Sequence, residues 1–313
     1  MSGAREVLVL VLSYNRPHLI PVALDSVLSQ THDGLRILVA DNGSGPDTIA
    51  VIEGYIARHP GRIELLRPAR PIALSELLNR AFDVFRSSAA GYLALLADDD
   101  AWAPGKLERQ LAVFDAEPDT GVVHTDATLI DDAGRPDGRL FSDVYIPRPE
   151  DSPERLLTDW NFVCGSSVLV RRDALEGVGP IPLRIRYSND WYLWILIALL
   201  YGIRRIDEPL TLYRLTQHSL TLTRTSEMQW ESVYLRRLAI RELGRRGVVV
   251  EGAEEAVAGQ AFHTAVHELR TGHPALSLRI GWQSLRVGPR ATARTWGRRL
   301  RRGTAKRIAG ARR

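Results

Sequence analysis

Tyr92-Leu93-Ala94-Leu95-Leu96-Ala97-Asp98-Asp99-Asp100-Ala101-Trp102-Ala103-Pro104 is an apolar run of strand length that stops at three consecutive carboxylates. A continuous apolar run bounded in this way reads as a strand buried on both faces. Three adjacent carboxylates at its mouth repel one another and call for positive charge, with a divalent cation carrying a phosphate as the obvious candidate. A solvated acidic turn is the competing reading.

Outward from this stretch the same pattern recurs. Val7–Leu12 is continuously apolar and gives way to Ser13-Tyr14-Asn15-Arg16-Pro17; Leu35–Ala40 gives way to Asp41-Asn42-Gly43-Ser44. Between the runs, 18–30, 46–58 and 73–88 carry helical spacing, and Arg62–Leu66 reads as a further strand. Alternation of this kind predicts an α/β fold with a mainly parallel, doubly wound sheet, whose ligands bind at the carboxyl ends of the strands. Three separate polar segments fall there.

Beyond residue 105 the pattern is mixed. A helix is predicted over Lys106–Glu117, and strands over Gly121–Thr125 and Thr128–Asp131 with a turn at Asp132–Gly134. Residues 135–155 read as a long loop, followed by a strand at Ser166–Arg171, a helix over 190–201 and a strand over Pro209–Arg214. From about Glu227 the chain reads as helical, with breaks near Gly247, Gly272–Pro274 and Gly288-Pro289.

The chain has 313 residues, 45% hydrophobic and 25% charged, an ordinary globular composition that excludes a mainly disordered protein. Val7–Leu12 is too short for a signal peptide core and reads as the first strand. The longest apolar stretch, near Trp191–Ile203, falls short of the roughly twenty residues of a bilayer span. The single Cys164 forms no intrachain disulfide, which fits a reducing, cytoplasmic setting. The net charge of +4 hides an asymmetry: residues 269–313 hold 13 Lys and Arg and no Asp or Glu, leaving 28 of the 41 basic residues against all 37 acidic ones elsewhere.

Five pieces in order carry a resemblance to the inverting family-2 nucleotide-sugar glycosyltransferases of GT-A fold. They are Ser13–Pro17, Val39–Ser44, Leu95–Pro104, Gly165–Arg172 followed by Gly179, and Asn189-Asp190-Trp191-Tyr192-Leu193-Trp194. The resemblance covers roughly residues 6–220. It implies a GT-A domain over 1–225, with 1–104 the nucleotide-binding half and 105–225 the acceptor half, and a helical extension over 226–313.

It also implies roles. A nucleoside-diphosphate sugar, a UDP- or dTDP-sugar by preference, would bind at the strand ends with Mn²⁺ or Mg²⁺ on its diphosphate. An acceptor hydroxyl on a glycan, a lipid-linked or a small-molecule acceptor would displace the nucleotide with inversion. Asp190 resembles the general base, although a helix N-cap is an equal use of its position. Asp41 resembles the residue that reads the base, Tyr14 the one that stacks on it, and Ser13, Asn15 and Arg16 would line the same pocket. Asn79 lies where the family often has an Asn near the nucleotide; a plain helical Asn is the alternative. With Pro104 as register mark, the metal falls to Asp99 and the ribose to Asp98, while a motif of Asp98-x-Asp100 would give the metal to Asp100. The family's first motif Asp is replaced by Ala97. Tyr213-Arg214 with a displaced His218 resembles a late segment near the diphosphate.

The Gln-x-x-Arg-Trp motif of processive synthases is missing: Gln283-Ser284-Leu285-Arg286-Val287 lacks the Trp. The acidic metal site would also suit a nucleotidyltransferase, but no Gly-rich loop follows strand one. A non-catalytic sugar-nucleotide-binding protein would not need Asp190. The loop at 135–155 and the segment around Trp160 are expected to shape the acceptor pocket. Interleaved Trp and Arg in 269–313 suit a helix on an anionic membrane surface; a solvated extension or a homo-oligomer contact competes, and nucleic acid is not expected as a partner.

Overall fold

The structure, a computed structural model, describes residues 5–145, 152–215 and 225–310. Its contacts divide the chain into two units: Met1–Pro153 with Asn161–Ser219, and Glu154–Trp160 with Leu220–Arg313. The segment around Trp160 thus clusters with the second unit.

The first unit is built on one sheet. Strands β1 (Val7–Ser13), β2 (Leu35–Asp41), β3 (Ile63–Leu66) and β4 (Tyr92–Ala97) form its parallel half in the order β3-β2-β1-β4. Helices α1 (Ile20–Leu28), α2 (Pro46–Arg58) and α3 (Leu74–Ser87) connect them. Val7, Val9, Leu10 and Val11 are wholly buried, and at ~1.5–3 kcal/mol for each fully buried large aliphatic side chain this strand alone anchors the layer. Beyond β4 the sheet continues through β8 (Leu169–Arg171), β6 (Val122–Ile130), β9 (Ile203–Arg214) and β5 (Ala101–Trp102), with β7 (Pro136–Leu140) pairing with β6. β4–β8, β6–β8, β6–β7 and β5–β9 are antiparallel and β6–β9 is parallel.

Helices α4 (Lys106–Ala116), α5 (Phe141–Tyr145), α7 (Arg172–Val178) and α8 (Asn189–Tyr201) complete this unit, while most of α6 (Pro153–Thr158) clusters with the other. Helix α8 buries Trp191 through Ala198 without a break, as a helix apolar on every side must. Gly177 lets α7 meet α8: a Cβ there would stand 1.8 Å from Tyr201 Oη. Arg172 caps the end of α3. Its guanidinium donates to the carbonyls of Phe85, Arg86, Ser88 and Ala90 and lies 4.4 Å from the Phe85 ring centre.

Three expectations are corrected. The two strands predicted over 121–131 are one, β6, whose pairing with β9 shifts register around Asp126. The predicted strand at Ser166–Arg171 begins only at Leu169, after a 3-10 turn over Gly165–Ser167. The long loop at 135–155 holds β7, α5 and the start of α6, with 146–151 outside the described residues. β7 is exposed from Pro136 to Arg139 and only Leu140 is half-buried, so it has no apolar face for a sequence pattern to reveal.

The second unit is helical: α9 (Thr225–Arg245), α10 (Ala253–Arg270), α11 (Pro274–Val287) and α12 (Pro289–Gly310). Val233, Val257, Ala261, Ala265 and Ile280 form its core, with Trp230, Leu276 and Trp296 packed against them. Among the described residues no helix is long and apolar enough to cross a membrane.

Candidate active site

Register brings the sequence motifs together. Ser13 on β1 stands opposite Asp41 on β2, and Leu12 stands opposite Ala97 on β4. Backbone hydrogen bonds extend the rows past the sheet edge, from Asn42 N to Ser13 O (3.1 Å) and from Asp98 N to Leu12 O (3.0 Å). Ser13, Asp41 and the Asp98–Asp100 run thus share one carboxyl edge.

Asp41 is fully buried. Its Oδ2 accepts from the amides of Gly43 and Ser44, both at 3.0 Å, and lies 3.4 Å from Arg67 Nε. Its Oδ1, like Ser13 Oγ, is buried with no hydrogen-bond partner among the described residues. One oxygen therefore builds the turn and the other is left over, beside a second unsatisfied group. Such atoms are penalised by ~1–3 kcal/mol each unless something pairs with them. Gly43 is required in that turn, at φ 94° with Pro71 2.6 Å from where a Cβ would sit.

Asn15 ties the loop after β1 to the loop after β2. It adopts φ 53°, a left-handed conformation that Asn tolerates, donates its amide to Ser44 Oγ (2.8 Å) and accepts from Gly45 N (2.8 Å). Tyr14 keeps its side chain exposed while its amide donates to Asp98 Oδ2 at 2.9 Å.

The three carboxylates differ. Asp98 is buried and spends both oxygens, on Tyr14 N and on Arg16 Nη1 at 2.7 Å; burial raises its pKa against the pull of those partners. Asp100 is buried and also spends both, on Ser166 Oγ (2.5 Å) and the Arg214 amide (2.8 Å). Burial, and then the charge of Asp99, push its pKa up to about 7. Asp99 is the most accessible of the three, and its Oδ2 contacts Arg16 Nη1 at 2.9 Å. The counter-charge demanded by the triple Asp is thus Arg16, set between Asp98 and Asp99. Burial lowers the Arg16 pKa, but Asp99 and Asp98 outweigh it and hold the guanidinium above its ordinary value.

Among the described residues no group of three or more His, Cys, Asp or Glu is arranged to hold a metal. A single accessible carboxylate nonetheless suits Mg²⁺ or Mn²⁺ that takes its remaining ligands from a diphosphate and water. Asp99 fits that description once Arg16 swings away; Asp100 does not, because Ser166 and the Arg214 amide engage both its oxygens, and Asp98, which Arg16 would also release, stays more buried with one oxygen held on the Tyr14 amide.

Asp190 lies in the first turn of α8, where a negative charge is favoured by the helix dipole. Ser188 takes the N-cap position, and Asn161 Nδ2 donates to Asp190 Oδ2 at 3.3 Å. A Cβ on Gly165 would lie 3.7 Å from the same oxygen. The turn Gly165–Ser167 therefore lies next to Asp190 at one end and bonds Asp100 through Ser166 at the other. Cys164, just before it, is buried and its thiol is pushed well up by burial, so it is no nucleophile.

Two residues singled out from the sequence stand apart. Asn79 gives both polar ends to Ile181, donating to its carbonyl at 2.9 Å and accepting from its amide at 2.8 Å, which makes it a brace for that loop. His218 lies outside the described residues. Ser166 and Arg214 also bear on the acidic loop, through contacts between distant segments. Arg214 is buried; besides its amide bond to Asp100, Nε reaches Asp99 O (2.9 Å) and Nη1 reaches Asp131 O (2.7 Å) and Asp132 O (2.9 Å). It fixes the acidic loop to the turn between β6 and β7.

Comparison with known proteins identifies the family and the fold. The family described as Glycosyl transferase family 2 matches residues 8–179. An uncharacterized glycosyltransferase of Nostoc sp. is 29% identical over 239 residues, covering 72% of this chain and 71% of that protein. The UDP-Glc:alpha-D-GlcNAc-diphosphoundecaprenol beta-1,3-glucosyltransferase WfgD of Escherichia coli is 24% identical over 71% of this chain and 83% of its own. Among solved structures, S. aureus TarS 1-349 in complex with UDP-GlcNAc superposes with TM-score 0.69 at 14% identity, covering 91% of this chain and 82% of that one. The mannosyltransferase PcManGT from Pyrobaculum calidifontis, in complex with GDP-Man and Mn2+, gives 0.55 at 17% identity over 92% and 86%. At such identities the structural likeness shows the fold.

Proposed function

The chain belongs to glycosyl transferase family 2, with a GT-A-like fold, and from that premise we propose that it is a non-processive, inverting enzyme using Asp190 as general base. It is a glycosyltransferase that takes its sugar from a nucleoside-diphosphate donor. The observation that supports the finer reading is the turn Gly165–Ser167, where a Cβ on Gly165 would lie 3.7 Å from Asp190 Oδ2 and Ser166 donates to Asp100, with Asp190 itself in the first turn of α8.

The donor base stacks on the exposed Tyr14 ring and donates its ring N–H to Asp41 Oδ1. That bond satisfies the buried acceptor and favours a uracil- or thymine-type base. Neighbouring side chains must give way for the base to arrive, and Arg67, whose side chain is 43% exposed, is placed to do so. Asp99 would hold Mn²⁺ or Mg²⁺ together with the diphosphate, and the cation supplies Lewis-acid stabilisation of the leaving group when bound. Arg16, displaced from Asp99, is then free to pair with a phosphate oxygen. Ser166 and Arg214 keep the loop in place. Asp190, oriented by Asn161, takes the proton of the acceptor hydroxyl as that oxygen attacks the anomeric carbon from the side opposite the nucleotide.

A hydroxyl on a lipid-linked glycan is the acceptor class we favour, by likeness to the diphosphoundecaprenol-linked acceptor named for the E. coli relative WfgD. Incubation with a panel of sugar nucleotides and Mn²⁺ or Mg²⁺ tests the donor assignment. Metal-dependent release of a nucleoside diphosphate, greatest for UDP- or dTDP-sugars, is expected. Pyrophosphate release from a nucleoside triphosphate and sugar phosphate would instead indicate a nucleotidyltransferase.

A further inference from the structure

Helix α11 buries Ile280 and Ser284 against the second unit. On another side it leaves Leu278, Trp282 and Leu285 exposed by 77, 60 and 44%. These positions are spaced i, i+4, i+7 and so form one stripe. Arg279 and Arg286 are exposed along its edge, with the Arg279 guanidinium 4.8 Å from the Trp230 ring centre. The next helix adds exposed Arg290, Arg294, Arg298 and Leu300. Of the acidic side chains of α10 near this region, Glu255 pairs with Arg294 at 3.7 Å and buried Glu268 meets His273 at 3.0 Å, while the Glu254 carboxylate lies against Gly288 between α11 and α12.

We propose that the Leu278–Trp282–Leu285 face of α11, with the arginines of α11 and α12, is a docking surface for an anionic lipid bilayer. Three classes of occupant can be weighed on charge and polarity. A second copy of the chain meeting this face across a two-fold axis would set like arginines against one another. A nucleic acid would pair with the arginines and leave the Trp and both Leu in water. An anionic bilayer satisfies both halves: apolar side chains enter the boundary of headgroups and acyl chains while arginines meet the phosphates. The lack of any Asp or Glu in 269–313 removes the repulsion that such a surface would otherwise meet. This inference stands on the second unit alone and does not depend on the donor or acceptor assigned above.

The test is co-sedimentation of the full chain with phosphatidylcholine vesicles, with and without phosphatidylglycerol. Binding is expected only with the anionic lipid, and to weaken as salt is raised. Leu278→Ser with Trp282→Ser should weaken it roughly tenfold or more, and Arg286→Gln with Arg290→Gln should do so independently. All four positions are exposed, so thermal unfolding and donor hydrolysis in solution should match the parent, which separates lost docking from lost folding or catalysis. Absence of binding to anionic vesicles, equal binding to neutral ones, or unchanged binding by the Leu278/Trp282 variant would overturn the proposal. So would an oligomer, or a DNA complex, that forms through this face in place of vesicle binding.

Discussion

Asp41→Asn isolates the base-reading atom from the turn it sits in. An asparagine side chain can keep its oxygen on the amides of Gly43 and Ser44, where Asp41 Oδ2 now accepts two bonds of 3.0 Å. Its amide nitrogen then takes the place of Oδ1, the buried atom without a partner. The ion pair lost with Arg67 is long, at 3.4 Å, and half-exposed on the Arg67 side, so it contributes little to stability. The fold should therefore be nearly unaffected. Binding of a uracil base should suffer, because its ring N3–H donor would face an N–H donor. Loss of a hydrogen bond to a charged acceptor is worth about 1.5–3 kcal/mol, roughly a 10–100-fold rise in the Kd for UDP. Cytosine carries an acceptor at N3, so the substitution should bring CDP closer to UDP or past it. Calorimetric titration of parent and variant with UDP and CDP, beside a thermal melt, measures all of this. A parent that binds CDP as well as UDP, or a variant with unchanged UDP affinity, would refute the placement of the base on Asp41.

Two further outcomes are expected. Arg16 lies against both Asp98 and Asp99, so Arg16→Gln should strengthen Mn²⁺ binding measured without nucleotide while weakening UDP binding; weaker Mn²⁺ binding would show that the guanidinium does not compete with the cation. His124 is buried in β6, and burial, followed by the charge of Arg205, depresses its pKa to about 3. The folded state therefore refuses a proton that the unfolded chain accepts below about 6.5, so its contribution is present above that pH and is lost as pH falls toward 3. Between pH 7 and 5 the loss is about 2 kcal/mol, and His124→Gln should flatten the fall in unfolding free energy, read from urea titrations at each pH, by that amount. Parallel falls in parent and variant would contradict it.

The first hundred residues were legible because one rule governs them. Continuous apolar runs end in polar residues, and buried parallel strands place those ends in a row. Ser13, Asp41 and Asp98–Asp100 follow from that rule alone. What the sequence could not reveal is which groups pair across long separations. Arg16 as the counter-charge to the triple Asp, Ser166 on Asp100, Arg214 over the acidic loop and Asn79 bound to Ile181 all depend on contacts between distant segments. The polar Asp126 interrupts an apolar pattern and suggests two strands. It is instead a buried residue of one strand, accepting from Ser142 and Arg205, where the register shifts. The pair Ala101–Trp102 is too short for any periodicity, and its strand exists only because β9 runs beside it.

Asp190→Asn tests the central claim most directly, with two quantities measured on the same preparation: donor affinity by titration, and the rate of acceptor-dependent sugar transfer. Asp190 as general base predicts donor affinity close to the parent and a rate lower by roughly 10²–10⁴-fold. A variant that transfers sugar within a few-fold of the parent rate, or that loses donor affinity in step with rate, would contradict it.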